Sequence, residues 1–429
     1  MDVLATSVDG AVTNINALWL MVAAALVLLM TPGVAFFYGG MVKAKSVISM
    51  MMMSFGAIAL VGVLWVFYGY SMSFSSGSDW LIPHVLGNPF AHFGLQDLYA
   101  NQDLYGLAFA GFQATFAIIT VALISGAIAD RAKFGAWMVF SGIWATVVYF
   151  PVASWVFNFT AGKGPHGYSD GGWLTYGLGV NDFAGGTAVH INAGAAGLAL
   201  ALVLGKRVGF RKGMVKPHNV PLTLLGAALL WFGWFGFNAG SEAGVDGVAA
   251  TAWINTLTAP AAATLGWLLV EKIKDGKATS IGAASGAVAG LVAITPACNI
   301  LSPMWAIVLG LLAGAVCAIA IELKYRLGFD DSLDVVGIHL IGGIIGTLYI
   351  GIFGTNIGLI FSGSFAQLGA QAIGAFSVLI YSFVLAFIIG WIIEKTMGFR
   401  IKTEDELAGV DIAVHGEESY GRDEVGLPA

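Results

Sequence analysis

The sequence predicts an all-α, polytopic membrane protein with eleven transmembrane helices. Of its 429 residues, 58% are hydrophobic and only 10% are charged, a composition typical of a chain whose surface faces lipid. Apolar stretches long enough to cross about 30 Å of hydrocarbon occur eleven times. These predicted spans, numbered in order, lie near residues 18–41, 47–72, 107–128, 134–157, 183–205, 219–241, 247–270, 279–298, 303–322, 333–354 and 370–394.

Basic residues predict the orientation of the spans, because lysine and arginine in short loops stay on the cytoplasmic side. With the N-terminus outside, 18 of the 19 basic residues fall inside and only Lys163 falls outside. An odd number of spans then places the C-terminus inside. The residues before span one lack the basic region and cleavage pattern typical of a secretory signal peptide, so we expect span one itself to direct insertion.

Aromatic residues mark the outer ends of spans three and four. Phe112 and Phe116 are four residues apart in span three and therefore share a helix face. Such a pair more often belongs to a packed core than to a binding site. Span four ends with Trp155 and Phe157, and a glycine-rich outer loop leads to Asp182. The ordinary role of an aspartate there is to cap span five, and a cap can also orient an outer vestibule.

Span six ends outside in a dense aromatic run. Residues 231–237 contain five aromatic side chains, more than an interfacial belt requires, and Asn238 and Ser241 follow them. Rings that face a cation beside a hydroxyl acceptor form a cation–π site. The sequence therefore suggests a cation site at this end of span six.

Two loops that are predicted to lie inside differ in charge, one basic and the other acidic. The loop after span five, residues 205–216, is the most basic, and a role in fixing topology is sufficient to explain it. Residues 328–334, before span ten, are acidic, and either Asp331 or Asp334 is expected to cap that span.

Two histidines, His190 in span five and His339 in span ten, are the only ones of seven that fall in hydrophobic spans. Each is followed by glycine four and seven residues later. Because spans five and ten are predicted to cross in opposite directions, this pattern predicts an inverted repeat with a site near the midplane. At 1.5 Å per residue, both histidines lie roughly 8–12 Å inside their spans, so the two can meet.

An ionisable residue inside a membrane segment usually marks a functional site, because its burial in the bilayer is costly. Neither span offers a nearby acid to balance an imidazolium, so we expect at least one ring to be neutral and able both to donate and to accept a hydrogen bond. A single buried histidine is more often a packing residue, but a symmetrical pair favours a conduction path. A metal site is disfavoured, because the spans supply no third histidine, adjacent cysteine or carboxylate.

The repeat also predicts the domain organisation. Residues 1–396 form a membrane domain with inverted halves at about 17–205 and 219–355 and an added span eleven at about 370–394. Residues 397–429 form a cytoplasmic tail too short to be a domain. The tail holds eight acidic and three basic residues, which gives −5 of the net charge of −6, so the charge indicates no nucleic-acid partner.

Taken together, these residues resemble the ammonium transporter family over essentially the whole chain. The most specific matches are Asp182-Phe-Ala-Gly-Gly-Thr with Val189-His190-Ile-Asn, Trp234-Phe-Gly-Phe-Asn-Ala-Gly-Ser241, Thr295-Pro-Ala-Cys298 and Asp334-Val-Val-Gly-Ile-His339.

The resemblance implies an outer recruitment site for ammonium at Phe116, Ser241 and the aromatic residue that ends span four, with Asp182 behind it. The family tryptophan of span four matches Phe157 here, with Trp155 two residues earlier, so either ring could complete the site. The resemblance further implies that Phe116 and Phe237 form a stacked gate and that Phe112 lies beside the outer cavity. It implies that His190 and His339 are the twin pore histidines. The residues implied along the apolar path are Trp234, Val34, Phe37, Tyr38 and Val335.

The same resemblance implies a multi-pass protein of the cell membrane, a homotrimer with one pore per subunit, and a PII-type regulatory protein that docks on the cytoplasmic face. Methylammonium is the expected substrate analogue, and no cofactor is implied. Within the same fold, the alternative is a Rhesus-type channel for neutral gas, which would lack the cation site. A third hypothesis is an ammonium sensor, although no output domain follows span eleven. A membrane enzyme is disfavoured, because the spans show no nucleophile, metal cluster or carboxylate pair.

Overall fold

The protein is described by a computed structural model that covers residues 2–161, 168–210 and 216–420. Within these residues, ten helices are long and apolar enough to cross a membrane, and they coincide with ten of the predicted spans. Predicted span eight is a shorter apolar helix, Ser280–Ile294, that continues as turns. Its rise is about 22 Å, less than the roughly 30 Å of a hydrocarbon core. The mostly helical membrane fold is confirmed, and eleven full spans stay a prediction.

The spans differ in length and in regularity. Their α-helical parts are, in order, Asp2–Met41, Val47–Leu64, Leu104–Ile124, Phe134–Trp144, Asn192–Leu204, Val220–Gly240, Gly247–Asp275, Ser280–Ile294, Pro303–Ala320, Ile341–Phe353 and Ala366–Thr396. Spans two and four pass through π-helical segments and resume as α-helix, at Trp65–Gly69 with Tyr70–Phe74 and at Ala145–Tyr149 with Phe150–Phe157. Spans five and ten begin with π-helical segments, Gly186–Ile191 and Val336–Leu340.

Short elements connect the spans. The short α-helices are Gln96–Ala100, Leu323–Leu327, Leu359–Ser362, Thr403–Ala408 and Val410–His415, and a further π-helical turn is Trp173–Gly177. The 3-10 turns are Ala44–Ser46, Gly77–Asp79, Phe93–Leu95 and Ser125–Ile128. Two small antiparallel hairpins pair Trp80–Ile82 with Leu86–Gly87 and Phe159–Ala161 with Tyr168–Gly171.

Spans one and six, the first helices of the two predicted halves, pack directly against each other. A side chain added at Gly226 would fall 2.1 Å from the backbone nitrogen of Phe37, and one at Gly236 would fall 2.7 Å from the Cβ atom of Leu26. Lipid supplies no hydrophobic drive between helices, so close backbone approach has to supply the packing energy. Glycine is required at these positions because the neighbouring helix occupies the space of a side chain.

Spans five and ten cross each other symmetrically. In each, a π-helical segment carries the histidine and a 13-residue α-helix follows it. Gly194, four residues after the first histidine, lies against Leu340, which directly follows the second. Conversely Gly343, four residues after the second histidine, lies against Ile191, which directly follows the first. These reciprocal contacts are the ones that the predicted inverted repeat requires of spans five and ten.

Ion pairs tie together the loops at the end of the molecule that the sequence predicts to be inside. The guanidinium of Arg207 lies 2.9 Å from Asp330 and 3.0 Å from Asp130, and that of Arg400 lies 2.8 Å from Glu406. The three carboxylates are almost completely buried, so each depends on its basic partner.

The described part of the tail packs against the same loops. The carboxylate of Asp411 accepts hydrogen bonds from the backbone nitrogens of Ile48 and Ser49 at the start of span two. Glu406 accepts one from the backbone nitrogen of Val208 at 2.6 Å. Four residues that entered the prediction of orientation lie outside the described residues, namely Lys163, Arg211, Lys212 and Arg422.

Candidate functional site

Two histidine side chains meet where spans five and ten cross. The Nδ1 atoms of His190 and His339 are 3.2 Å apart, their ring centroids are 5.3 Å apart, and the ring planes differ by 20°. Both side chains are buried. Each lies in a π-helical segment, a rare conformation that recurs at functional sites. The structure thus brings together the two residues that the sequence pattern paired.

The contact between the two Nδ1 atoms constrains the protons of the pair. If both rings are neutral, one Nδ1 donates a proton and the other accepts it, so the two rings are opposite tautomers. One Nε2 is then a hydrogen-bond acceptor and the other a donor. The Nε2 atom of His190 is buried and has no protein partner. The pair can therefore offer one acceptor and one donor to a small polar guest.

Aromatic rings cover one side of this pair. Trp234 stacks on His190 with centroids 5.4 Å apart, and its indole nitrogen donates to the hydroxyl of Thr295 at 2.8 Å. Phe237 lies 6.1 Å from the His190 ring and stacks on Phe116, with centroids 4.1 Å apart and planes at 18°. The stacked phenyl rings thus lie directly beside the first histidine.

The ring of Phe157 extends this stack. It lies edge-on to Phe116 with centroids 6.0 Å apart. The ring of Trp155 turns away, because its nitrogen donates to the carbonyl of Val85 at 2.8 Å and its face contacts Trp173. Of the two rings that the sequence left open, the geometry places Phe157 on the stack.

Two further predicted residues surround the outer end of the stack. Phe112 lies edge-on to Phe116 with centroids 4.9 Å apart, and a side chain at Gly240 would touch its ring. The hydroxyl of Ser241 donates to the carbonyl of Phe237 at 2.8 Å, which leaves its lone pairs available to a donor. Ser241 is therefore held close to the phenyl stack, because it bonds the backbone of Phe237, whose ring is part of that stack.

The carboxylate of Asp182 is occupied by its own helix. One oxygen accepts hydrogen bonds from the backbone nitrogens of Gly185 and Gly186 at 2.9 and 2.6 Å. The other accepts from those of Thr187 and Ala188 at 2.8 and 3.1 Å, and from the Thr187 hydroxyl. With five donors on two oxygens, the geometry favours the cap over direct contact with a cation.

We expect Asp182→Ala to prevent recovery of folded protein. Each hydrogen bond to a charged group contributes about 1.5–3 kcal/mol, so losing five approaches a total stability of about 5–15 kcal/mol. Size-exclusion chromatography of detergent extracts measures the folded fraction. Asp246→Ala is the matched control, because this exposed aspartate caps span seven through Val248 and Ala249 and its loss costs about 1 kcal/mol. Equal monodisperse yields of the two variants would contradict the assignment.

Two of the predicted path residues, Tyr38 and Val335, lie beside each other at Gly126. A side chain at Gly126 would fall 2.5 Å from the ring of Tyr38 and 2.8 Å from Val335, so these two side chains converge. The Tyr38 hydroxyl donates to the carbonyl of Leu123 at 3.3 Å. All four path residues are buried, namely Val34, Phe37, Tyr38 and Val335.

The sequence did not predict one feature of the site, and it left open another that the structure decides. The hydroxyl of Thr295 anchors Trp234, although the only sequence signal was a Thr-Pro pair near the end of span eight. The cap of span ten is Asp331, which accepts a hydrogen bond from the backbone nitrogen of Val336 at 2.7 Å, whereas Asp334 pairs with Lys324. Across the described ranges, no group of three His, Cys, Asp or Glu residues is placed to hold a metal ion.

The fold and the site together define a multi-pass helical membrane protein of the transport class. The model of the Ammonium Transporter Family matches residues 18–420, and the chain belongs to this family. It is 52% identical over 433 residues to an ammonium transporter of Mycobacterium tuberculosis, and the alignment covers 94% of this chain and 89% of that relative. The predicted location in the cell membrane is confirmed, and the family comprises transport proteins rather than enzymes.

Solved structures share the whole fold. One described as a sensor Amt protein superposes with a TM-score of 0.86 at 29% identity, covering 95% of this chain and 100% of that chain. The crystal structure of Mep2 from Saccharomyces cerevisiae superposes with a TM-score of 0.82 at 32% identity, covering 96% and 93%.

Proposed function

We propose that this protein carries ammonium across the cell membrane in three steps: recruitment of the cation at an outer aromatic site, removal of a proton, and passage of ammonia along an apolar path beside two histidines. The observation that supports this most strongly is the hydrogen-bonded pair of His190 and His339, buried directly beside the stacked rings of Phe116 and Phe237. Membership in the ammonium transporter family identifies the substrate class.

The outer site would hold the cation with rings and one hydroxyl. Phe116 and Phe157 offer π faces, and Ser241 offers lone pairs. Each well-placed ring contributes roughly 0.5–2 kcal/mol. The next residue, Glu242, is half-buried; burial and then the neighbouring charge of Asp246 raise its pKa to about 7. Above that pH its negative charge adds to the attraction for a cation.

The stacked rings separate charged from neutral forms of the substrate. Moving an unpaired ion into an apolar lumen costs far more than moving a neutral polar molecule, so ammonia passes where ammonium does not. A site that binds the cation beside a lumen that admits the neutral form implies deprotonation near Phe116 and Phe237. Sodium and potassium ions have no proton to lose, so the same arrangement excludes them.

The histidine pair gives the released proton a route. The acceptor Nε2 of one ring takes up a proton, the shared Nδ1 contact passes a proton to the other ring, and the donor Nε2 of that ring releases one. The pair then holds the opposite tautomers and resets by reorientation before the next transfer. Charge therefore moves across the membrane with each ammonia.

We expect Ser241→Ala together with Phe157→Ala to raise the half-saturating ammonium concentration by about thirtyfold. Each loss costs roughly 1 kcal/mol, because a shallow site stays partly hydrated. Ammonium-evoked currents of proteoliposomes on a solid-supported membrane give the concentration dependence. Trp155→Phe is the control, since that ring points away from the stack. An unchanged concentration dependence in the double variant would move the recruitment site elsewhere.

Growth tests the function as a whole. A microbial host that lacks its own ammonium transporters should grow on low ammonium when it expresses this chain, and should fail to grow with an empty vector. Failure to rescue growth, despite normal amounts of the protein in the membrane, would contradict ammonium uptake.

Further properties belong to the same proposal. They are eleven spans with the N-terminus outside, inverted halves at about 17–205 and 219–355, a cytoplasmic tail at 397–429, a homotrimer with one pore per subunit, methylammonium as a second substrate, and a PII-type partner on the cytoplasmic face. The reciprocal contacts of spans five and ten support the inverted halves. The packing of the tail on Ile48, Ser49 and Val208 supports its position beside the basic loops.

An ammonium sensor is the second candidate, because one superposable structure is described as a sensor Amt protein. A sensor binds ammonium without sustained flux, and a Rhesus-type channel passes neutral gas without current. An ammonium-evoked current that persists with the ammonium gradient therefore distinguishes the transporter from both.

A further inference from the structure

Asp331 is the counterpart of Asp182 in the second half of the molecule. Each aspartate precedes its histidine by eight residues and accepts a hydrogen bond from the backbone nitrogen five residues later. The two differ in one respect. Both oxygens of Asp182 are occupied, whereas the Oδ1 atom of Asp331 has no protein partner although the side chain is only 1% exposed.

Among the described residues, none forms an ion pair with the carboxylate of Asp331, and Lys324 acts on it only at longer range. Neighbouring Asp330 is paired with Arg207. The ammonium group of Lys324 lies 2.6 Å from the carboxylate of Asp334 and donates to the backbone carbonyl of Asp331, so it is occupied on both sides. A buried carboxylate without a partner is costly unless it is protonated or binds a cation.

Burial raises the pKa of Asp331 to about 6, with Lys324 lowering it and Asp334 raising it. At neutral pH the carboxyl group of Asp331 is therefore mainly ionised. A cation bound at its free oxygen would offset the cost of this buried negative charge.

This carboxylate stands at the inner end of the apolar path. Val335, four residues further along the chain, converges with Tyr38 at Gly126. The phenol of Tyr38 lies close enough to Asp331 and Asp334 to interact with both electrostatically. Starting from the histidine pair, the side chains along the path therefore follow in the order His339, then Val335 and Tyr38, then Asp331.

We propose that the free oxygen of Asp331 is an inner binding site for a small cation with N–H donors, namely ammonium or methylammonium at the inner end of the path. This site rests on the proposed function, since it receives ammonia that has regained a proton from the inner solution, or ammonium that enters from inside. A carboxylate oxygen accepts a charge-assisted hydrogen bond from such a cation. The neighbouring acids Asp330 and Asp334 already have their charge balanced by Arg207 and Lys324, so a cation gains less there.

Vesicles of opposite sidedness test the site. Asp331→Asn removes the charge and keeps an acceptor for Val336, and Glu322→Gln is the control, since it removes a partly exposed carboxylate that is paired with Lys274 and not with Lys324. In inverted vesicles, which expose the inner face, Asp331→Asn should raise the half-saturating ammonium concentration about tenfold. In right-side-out vesicles the value should stay that of the wild type. An unchanged value in inverted vesicles, or an equal shift in Glu322→Gln, would overturn the site. No wild-type current in either preparation would instead contradict the proposed function.

Thermal unfolding of the solubilised protein gives a second measurement. The pKa of Asp331 is higher in the folded protein than the ordinary value of 3.8, so its ionisation destabilises the fold as the pH rises through about 6. Asp331→Asn should therefore melt at a higher temperature than the wild type at pH 8, with the difference about halved at pH 5 and closing only below about pH 4, where the unfolded chain also holds the proton. Addition of ammonium at pH 8 should narrow the difference, because only the wild type gains a partner. A difference independent of both pH and ammonium would contradict an unpaired carboxylate that binds a cation.

Discussion

Replacing both His190 and His339 with alanine is expected to abolish the ammonium-evoked current. The proposed proton route depends on the 3.2 Å contact between their Nδ1 atoms and on the two Nε2 atoms that this contact leaves free. Alanine supplies neither a donor nor an acceptor, and the surrounding Trp234, Phe237 and Val335 cannot replace them. Proteoliposomes on a solid-supported membrane measure the loss directly.

A histidine outside the path provides the control for that variant. His218 contacts the carbonyl of Val42 at 2.9 Å and the hydroxyl of Tyr420 at 2.7 Å, far along the chain from the buried pair. His218→Ala should retain the wild-type current. If the double variant elutes as folded protein and still produces normal ammonium-specific currents, the relay is wrong and the pair only shapes the path.

An acidic replacement of one histidine should convert rejection of potassium into conduction. His190→Asp or His190→Glu places a carboxylate where the wild type has none, and a carboxylate can balance a desolvated monovalent cation. We expect a potassium-evoked current that is absent in the wild type and comparable in size with the ammonium current of the same variant. The physical reason is that the ion no longer needs a removable proton to cross.

His190→Gln is the matched control, because it has nearly the size of the glutamate variant without its charge. It should lose current without gaining a response to potassium. Equal potassium responses of His190→Glu and His190→Gln would show that pore width, rather than charge, determines the selectivity.

The sequence predicted the membrane fold because the relevant signals are local. Hydropathy marks each span, and the repeated His-Gly-Gly pattern marks two helices that the structure crosses with reciprocal glycine contacts. In the structure the α-helix of predicted span eight ends at Ile294, four residues before the predicted end at residue 298. Pro296 has no backbone N–H with which to continue the helix, and its carbonyl accepts a hydrogen bond from the backbone nitrogen of Phe183.

The sequence indicated which residues belong to the site, but not which of two nearby candidates takes each role. Residues two apart on a helix point in nearly opposite directions, so only one of Trp155 and Phe157 can face Phe116. Which of them does so depends on the carbonyl of Val85 and the ring of Trp173, both distant in sequence. The same holds for Asp331 and Asp334, whose roles are decided by Lys324 and by the path of the backbone.

The central claim is that ammonium moves charge across the membrane while ions of similar size do not. The most direct measurement is a solid-supported-membrane recording of purified wild-type protein exposed in turn to ammonium, methylammonium and potassium. We predict transient currents with ammonium and methylammonium that decay with the gradient, and none above that of empty liposomes with potassium. Equal currents with ammonium and potassium, or no current with ammonium, would contradict it.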